Sequence, residues 1–525
     1  MTRIAFATFL TLACSTSGQA TRYHVDLNAS GSANGLSWVN AFTNLQEALG
    51  IVVPGDEIWV AAGQYRPTTG TSRTISFELR NGVDLYGSFA GTETELSQRD
   101  IASNPTVLNG DIGEPGNSSD NSHTVVTANN ITTTVIVDGF RVMNGYSAAG
   151  SSYNGGGLRI TNTLSGNVVL RQCAVLNNFS GTYGGGMYIA SVRLTIEDCE
   201  FNNNQAGSGS GGAVCNGNVN GSGSIVTIQD SRFKNNSARV GACLYNSQSY
   251  NELVIDRCIF TNNTSENSIL SFDDFESAQL LNSYVIGNSV DGFSSNVINV
   301  NSTTQDAVFS MINCTVVHNF NTYANTVQSE IIRFFDSYHV IQNSIIHGNT
   351  EVVGRQVTAN ANVSHSIVEG GHAGGTSIFD EDPLFSSPYT GVQAGFDATD
   401  FDYRVQPTSP AVNAGLNDAV VAPYDLDLSQ LPRIQGSVVD LGCYETDQTV
   451  SILEERPRGD WYFDAQRGEL HLTDMDPLYR IAIHDMTGKL MATKNLTGPI
   501  TRIDLPAGTY LATSPELGML KLVIQ

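Results

Sequence analysis

Apolar and polar residues alternate along this chain in short bursts, and the bursts recur. In LTIEDCEFNNN, Leu194 and Ile196 alternate with polar neighbours, and Cys199 and Phe201 alternate again. Glu197 and Asp198 break the parity between the two pairs. A tight turn between two short strands is therefore needed to bring both pairs to one side. Asn202, Asn203 and Asn204 then end the second strand, because Asn tolerates turn and left-handed geometry. The pattern returns from Leu170, Ile228, Ile255, Leu280, Met311, Ile341 and Val363, with a weaker copy from Val137. Its anchor residues are Phe140, Cys173, Cys199, Ser231, Cys258, Ser283, Cys314, Ser344 and Ser366, spaced 22 to 33 residues apart. One such repeat cannot bury its own apolar face, so a period of this size requires stacking.

Glycine-led segments supply a third strand: GGGLRI from Gly155, GGGMYI from Gly184 and GGAVCN from Gly211. Three short strands per turn, stacked about 4.8 Å apart, predict an all-β fold, a right-handed parallel β-helix about 40 Å long over nine rungs. A sandwich or propeller would not repeat small or sulfur-bearing residues at one inward site. The glycines recur once per coil without a following Lys-Ser/Thr, so close rung packing explains them rather than phosphate binding.

The ends extend this picture. Trp38, Phe42, Leu45 and Leu49 fall at helical spacing, with Thr43 and Gln46 as a capping box, before Pro54-Gly55 and the strand EIWVAAGQY. A short capping helix ahead of the first rung is expected, covering the open end of the sheet. The tail alternates in LHL, RIAI, YLAT and KLVI, with turns at Thr487-Gly488 and Pro506-Ala507-Gly508, predicting a small β-sandwich. Residues 1–20 read as a secretory signal peptide: Arg3, then the apolar run Ile4 to Ala13, then Gly18-Gln19-Ala20. The apolar run is too short to span a membrane. The predicted organisation is a signal peptide (1–20), a capped β-helix (21–379), a closing segment (380–446) and a terminal sandwich (447–525).

Charge narrows the partners. Twenty-six Lys and Arg against 51 Asp and Glu give a net charge of −25, which argues against nucleic acid and anionic membrane. It suits a soluble extracellular surface. Cleavage after Ala20 would leave seven cysteines, an odd number. Cys173 and Cys199 fall on adjacent rungs near disulfide range. The favoured alternative is a column of buried thiols alternating with Ser231, Ser283 and Ser344.

Three stretches carry family resemblances. GLSWVNAFTNLQEAL, GDEIWVAAGQYRP, NGVDLYGSFAGTETELSQRD and PTVLNGDIG resemble secreted bacterial β-helix proteins of the polymorphic outer-membrane-protein-like type. DEDPLF, DYRVQPTSPAVNAG, DLDLSQLPRI and VDLGCYE resemble the choice-of-anchor module that closes such helices. YRIAIHDMTGKLM, IDLPAGTYLAT and KLVIQ resemble a type IX secretion sorting domain, whose usual Tyr-Pro-Asn-Pro-like opening is reduced here to Pro457 within EERPRGDWYF. These resemblances imply export by the type IX machinery, then release or attachment at the outer cell surface.

Candidate chemistry is sparse. Asp198 and Asp230 share one repeat position, followed in the same column by Arg257, an acid pair with a cation of the kind a glycoside hydrolase needs. The other copies place Gln172, Asn282, Asn313, Asn343 and His365 there, which reads as a turn position. A lyase base would come from Arg171, Arg193, Arg232 or Arg257. Tyr183, Tyr188, Tyr245 and Tyr250 are the candidate aromatic strip for a glycan or protein ligand. Asp425, Asp427 and Asp440 are the candidate calcium ligands, or turn residues of the closing segment. No other cofactor is expected. The leading function is non-enzymatic adhesion, glycan binding or display on the cell surface. The alternatives are a β-helix polysaccharide lyase or glycoside hydrolase, and a structural surface-layer protein.

Overall fold

The computed structural model describes residues 20–446 except 149–152, 218–221, 248–249, 293–294, 303–306, 323–329, 336–337, 351–354 and 392–395. Beyond 446 it describes 461–464, 469–472, 479–485, 489–496, 500–503, 505–514 and 518–524. Residues 1–19 of the expected signal peptide (1–20) lie outside the described residues. The chain forms two compact units, 1–446 and 447–525.

The first unit is a right-handed parallel β-helix. One rung shows how the sequence winds. Strand Arg193–Glu197 ends at Asp198, whose φ of 50° turns the chain sharply into strand Glu200–Asn202. Asn203, at φ 56°, makes the next corner and leads to Gln205–Ser210. Gly211 then turns into Val214–Asn216, and the next rung begins at Ile225. The parity break at Glu197-Asp198 is thus a left-handed corner. The same corner is made at Gln172, Asp230, Arg257, Asn282, Asn313, Asn343 and His365.

Two features differ from the expectation. Seven successive rungs, from Val135 to Phe334, carry four strands, not three. The extra one is a short strand such as Phe179–Ser180 or Ser289–Val290, in a seven-stranded parallel sheet of its own. The first two strands of each rung belong to one bent 23-stranded sheet, and the glycine-led strands form a nine-stranded sheet. At the amino end, Arg22–Val25 already pairs parallel with Glu57–Ala61, so the helix follows the first strand rather than preceding the first rung. That helix is Leu45–Ile51; Trp38 and Phe42 lie before it. Its cap is Asn44, which accepts from the Gln46 N–H at 2.9 Å, not Thr43. Leu45, Ala48 and Leu49 are buried in the solenoid core.

Inward columns hold the stack together. Phe201, Phe233 and Phe260 stack at 4.9 Å centroid spacing on successive rungs. All seven described cysteines are free and buried, so Cys173 and Cys199 are thiols, not a disulfide. At the same inward site the serines are hydrogen-bonded. Ser231, Ser283 and Ser344 accept from the Cys199, Cys258 and Cys314 N–H at 3.0–3.1 Å and donate to the carbonyl two residues back.

A second column was hidden in the Asn-rich turns. Five residues after seven of the nine anchors, from Cys173 to Ser344, lie Asn178, Asn204, Asn236, Asn263, Asn288, Asn319 and Asn349, all buried. Asn263 Nδ2 donates to Phe233 O, Thr261 O and Asn288 Oδ1 at 2.9–3.0 Å. Its Oδ1 accepts from the Asn236 N–H and Nδ2 at 2.8 and 3.0 Å. The side chains thereby continue the ladder around a corner where backbone groups have no strand partner.

Glycine is required where the nine-stranded sheet begins. Gly155, Gly184 and Gly211 have φ of 79°, 67° and 71°. A Cβ at Gly184 would lie 2.4 Å from Met187 O, and one at Gly211 2.5 Å from Val214 O.

Residues 380–446 pack along the outside of the second strand of the later rungs. Phe385, Tyr403, Ala411, Leu441 and Cys443 share a core with Tyr284, Ile286, Val317, Ile345 and Ile367. Corner residues fasten this cover: Asn343 Oδ1 accepts from the Leu416 N–H at 2.8 Å, and Asn282 Nδ2 donates to Tyr424 O at 3.1 Å. The second unit contains a three-stranded and a four-stranded antiparallel sheet. Leu470 and Ile503 from one side and Ile481, Ile483 and Leu522 from the other share its core, a small β-sandwich.

Candidate functional site

The outward residue after each anchor tells where the solenoid is covered. In strand register this column runs Arg141, Ala174, Glu200, Arg232, Ile259, Tyr284, Thr315, Ile345 and Ile367. From Ile259 onward its residues pack under the 380–446 cover. Before it they are charged or small, and an open cleft of about 730 Å³ lies over them. Ile101 and Ala102 border it on one side, Leu428 and Gln430 on the other. It crosses five rungs, from Gly139 to Arg257, a length of about 20 Å at the rung spacing. A second cleft of about 520 Å³, lined by Arg99, Arg171 and Glu197, shares Gln172 and Asp198 with the first.

The Asp198, Asp230 and Arg257 column lies in this cleft. Its members differ in state. Asp198 is exposed and meets only Gln172 Nε2, at 3.4 Å. Asp230 is held by Arg257 through two 2.8 Å bonds, Nε to Oδ1 and Nη2 to Oδ2. Arg257 Nη1 also pairs with Asp256, which is fully buried and accepts from Asn282 Nδ2 at 2.7 Å. Gln430 donates to Asp230 Oδ1 at 3.4 Å, so the cover is tied to this network. Both oxygens of Asp230 are therefore engaged by a guanidinium. The pair offers no second free carboxylate for acid–base work on a glycosidic bond. Burial pushes the Asp256 carboxyl up to about 6, against the pull of Asn282 and Arg257.

Arg141 and Glu200 were not singled out from sequence, and Arg232 only as one of several bases. All three are exposed in the cleft. The signal for them is the same column, which changes from charged to apolar at Ile259. Of the remaining bases considered, Arg171 Nε bonds to buried Asp138 at 2.8 Å, and Arg193 is exposed at the start of its strand.

The tyrosines do not form one strip. Tyr188 and Tyr245 flank Cys215 on the outer face of the nine-stranded sheet. Tyr188 is 6% exposed, and burial pushes its phenol up to about 12. Tyr183 is 44% exposed at the amino end of that strand, within electrostatic reach of both. Tyr250 is exposed at the opposite end of the rung, just before strand Glu252–Asp256.

The carboxylates of Asp427 and Asp440 are occupied by protein donors. Asp427 accepts from the Ser429, Leu431 and Glu445 N–H groups at 2.8–3.0 Å. Asp440 accepts from the Asn413 and Thr446 N–H groups at 2.6 and 2.8 Å. The Asp425 carbonyl accepts from the Arg433 N–H at 2.8 Å. The cation beside them is Arg433 itself, fully buried, with Nη2 2.9 Å from Glu445 Oε1. This is the geometry of turn residues. Among the described residues, no group of three His, Cys, Asp or Glu side chains is placed to hold a metal.

Burial pushes the Glu445 carboxyl up to about 8; Arg433 pulls it down, and the Asp440 charge adds to the rise. A carboxyl whose folded pKa exceeds its unfolded value binds its proton more tightly when folded. It stabilises the fold at low pH, and this stabilisation fades as pH rises through the folded value. Glu445 sets that window between about 4.5 and 8, and Asp256 adds to it below about 6. The expected outcome is a thermal midpoint that rises as pH falls from 8.5 to 6, with a visibly shallower slope for Glu445→Gln. Differential scanning calorimetry across that range checks it.

No protein-family model matches the chain, and no curated protein matches it. Solved structures with a similar fold include the pectate lyase Pel9A, at a TM-score of 0.46 and 16% identity over 82% of this chain and 98% of that one. A rhamnogalacturonan lyase aligns at a TM-score of 0.35 and 13% identity, over 66% and 87% of the two chains. At these identities the likeness is one of fold alone.

Proposed function

We propose that this chain is an exported, cell-surface β-helix protein that binds an extended glycan in the cleft between Ile101 and Gln430 without cleaving it. One observation carries the reading. Ahead of the covered rungs, the second-strand face carries a long, recessed polar trough that runs across the rungs. A linear polymer with many hydroxyl groups fits such a trough, because each rung presents a fresh set of donors and acceptors at a regular step. The engagement of Asp230 by Arg257 argues against Asp198 and Asp230 as a hydrolytic pair. The excess of acidic residues and the sequence resemblances of the leader, closing segment and tail support export and surface location.

The test is a panel of soluble polysaccharides titrated against the full mature chain, scoring binding together with release of reducing or unsaturated ends. Binding without product, unchanged by a calcium chelator, is expected. Product release would replace this reading with that of a lyase or hydrolase. No binding to any polymer would overturn it.

A further inference from the structure

Among the described residues, two arginines of the cleft, Arg141 and Arg232, make no ion pair or side-chain hydrogen bond. Unpaired cations stand out in a chain of net charge −25, where Arg257 in the same cleft and Arg99 and Arg171 in the adjoining one are tied to carboxylates. They occupy the same outward column, separated by Ala174 and Glu200. Three rung steps put their backbones about 14 Å apart. Between them the column offers first a methyl group, then a carboxylate. Glu200 accepts only from Asn202 Nδ2, at 2.9 Å, and makes no ion pair with Arg232 although the two are direct register partners. Asp198 adds a second exposed carboxylate at the adjoining corner.

We infer that the cleft selects a linear polysaccharide whose acidic groups are widely spaced, with neutral sugars between them, over one that is acidic at every residue. This rests on the reading that the cleft holds a glycan. An exposed guanidinium takes a carboxylate or sulfate by paired N–H donors, so Arg141 and Arg232 are two anion positions along one polymer. The stretch between them suits hydroxyl groups, which donate to Glu200. A third anion there would face the Glu200 carboxylate, and like charges at contact distance are excluded by repulsion. The charge pattern of the column is thus a pattern demanded of the ligand. The arginines act as specificity-determining groups, with Glu200 as the group that rejects.

The experiment compares four probes on the full mature chain by calorimetry at low and physiological salt. They are gellan oligomers, with one uronate per four sugars; hyaluronan oligomers, with one per two; polygalacturonate oligomers, acidic throughout; and neutral glucan oligomers. Expected is gellan or hyaluronan binding at least tenfold tighter than polygalacturonate and glucan, and weakened by salt. Arg141→Gln/Arg232→Gln should remove that preference while leaving the thermal midpoint within about 1 °C, since both side chains are exposed and unpaired. Glu200→Gln should raise polygalacturonate affinity at least fivefold. A sulfated neutral-backbone polymer distinguishes sulfate from carboxylate as the favoured anion. Equal binding of glucan and gellan, unaffected by the arginine substitutions, would overturn this inference while leaving the glycan-binding reading intact. Tightest binding to polygalacturonate would also overturn it. Silence on all probes would overturn both.

Discussion

Asn263→Ala is expected to destabilise the solenoid by about 4 kcal/mol, read as a lower urea midpoint. The side chain meets five hydrogen-bonding partners inside the protein: three acceptors share the two N–H groups of Nδ2, and two donors reach Oδ1. Each hydrogen bond is worth about 1 kcal/mol net, and the partners left behind are buried. The neighbouring asparagines, Asn236 and Asn288, are themselves fully buried, so the damage spreads up and down the column. Asn235→Gly is the control. Asn235 has φ 55° and is exposed, with one bond to Asn202 Oδ1 at 3.1 Å. Glycine accepts that corner, so the change should stay within about 0.5 kcal/mol. Equal losses for the two substitutions would show that the corner conformation, not the buried amide ladder, carries the stability.

Arg257→Gln is the second large effect. It leaves Asp256 charged and fully buried, and frees Asp230 from its guanidinium. Removing one member of a buried ion pair costs about 3–5 kcal/mol, because the partner's charge stays behind. The loss should be greatest at pH above about 6, where Asp256 is ionised in the folded protein. Asp256→Asn/Arg257→Gln should recover most of it, since no uncompensated charge remains, and the two substitutions should couple strongly in a double-mutant cycle. The cleft should also suffer in the single variant, because Gln430, which lines it, is tied to this network through Asp230. A loss below about 1 kcal/mol would mean that the network is no more than a surface ion pair.

The repeat was legible because each rung writes the same inward residues at the same offsets. The break in alternation at Glu197-Asp198 is a covalent necessity of the corner, and Cys199, Ser231 and Cys258 mark it plainly. The Asn column was equally periodic. It was read only as turn propensity, because Asn203 and Asn204 look alike in sequence although one is a left-handed corner and the other a buried ladder rung. The short fourth strand carries no signal of its own: two residues such as Phe179-Ser180 have no measurable alternation. The start of the helix was misplaced because Trp38 and Phe42 happen to keep helical spacing while packing from a loop. The cleft was half legible. Asp198, Asp230 and Arg257 line it, but the covering of later rungs by residues 380–446 defines where it ends. That boundary appears in sequence only as the change from Arg141, Glu200 and Arg232 to Ile259 and Tyr284. The candidate tyrosines do not share one strip, because the winding sends Tyr250 to the opposite end of the rung from Tyr183.

The most direct test of the functional account is a crystal structure of the mature chain soaked with the tightest-binding oligosaccharide from the panel. The account predicts sugar density running across the rungs between Ile101–Ala102 and Leu428–Gln430, with anionic groups at Arg141 and Arg232 and none at Glu200. Density instead on the Tyr183 and Tyr245 face, with the cleft holding only water, would contradict it.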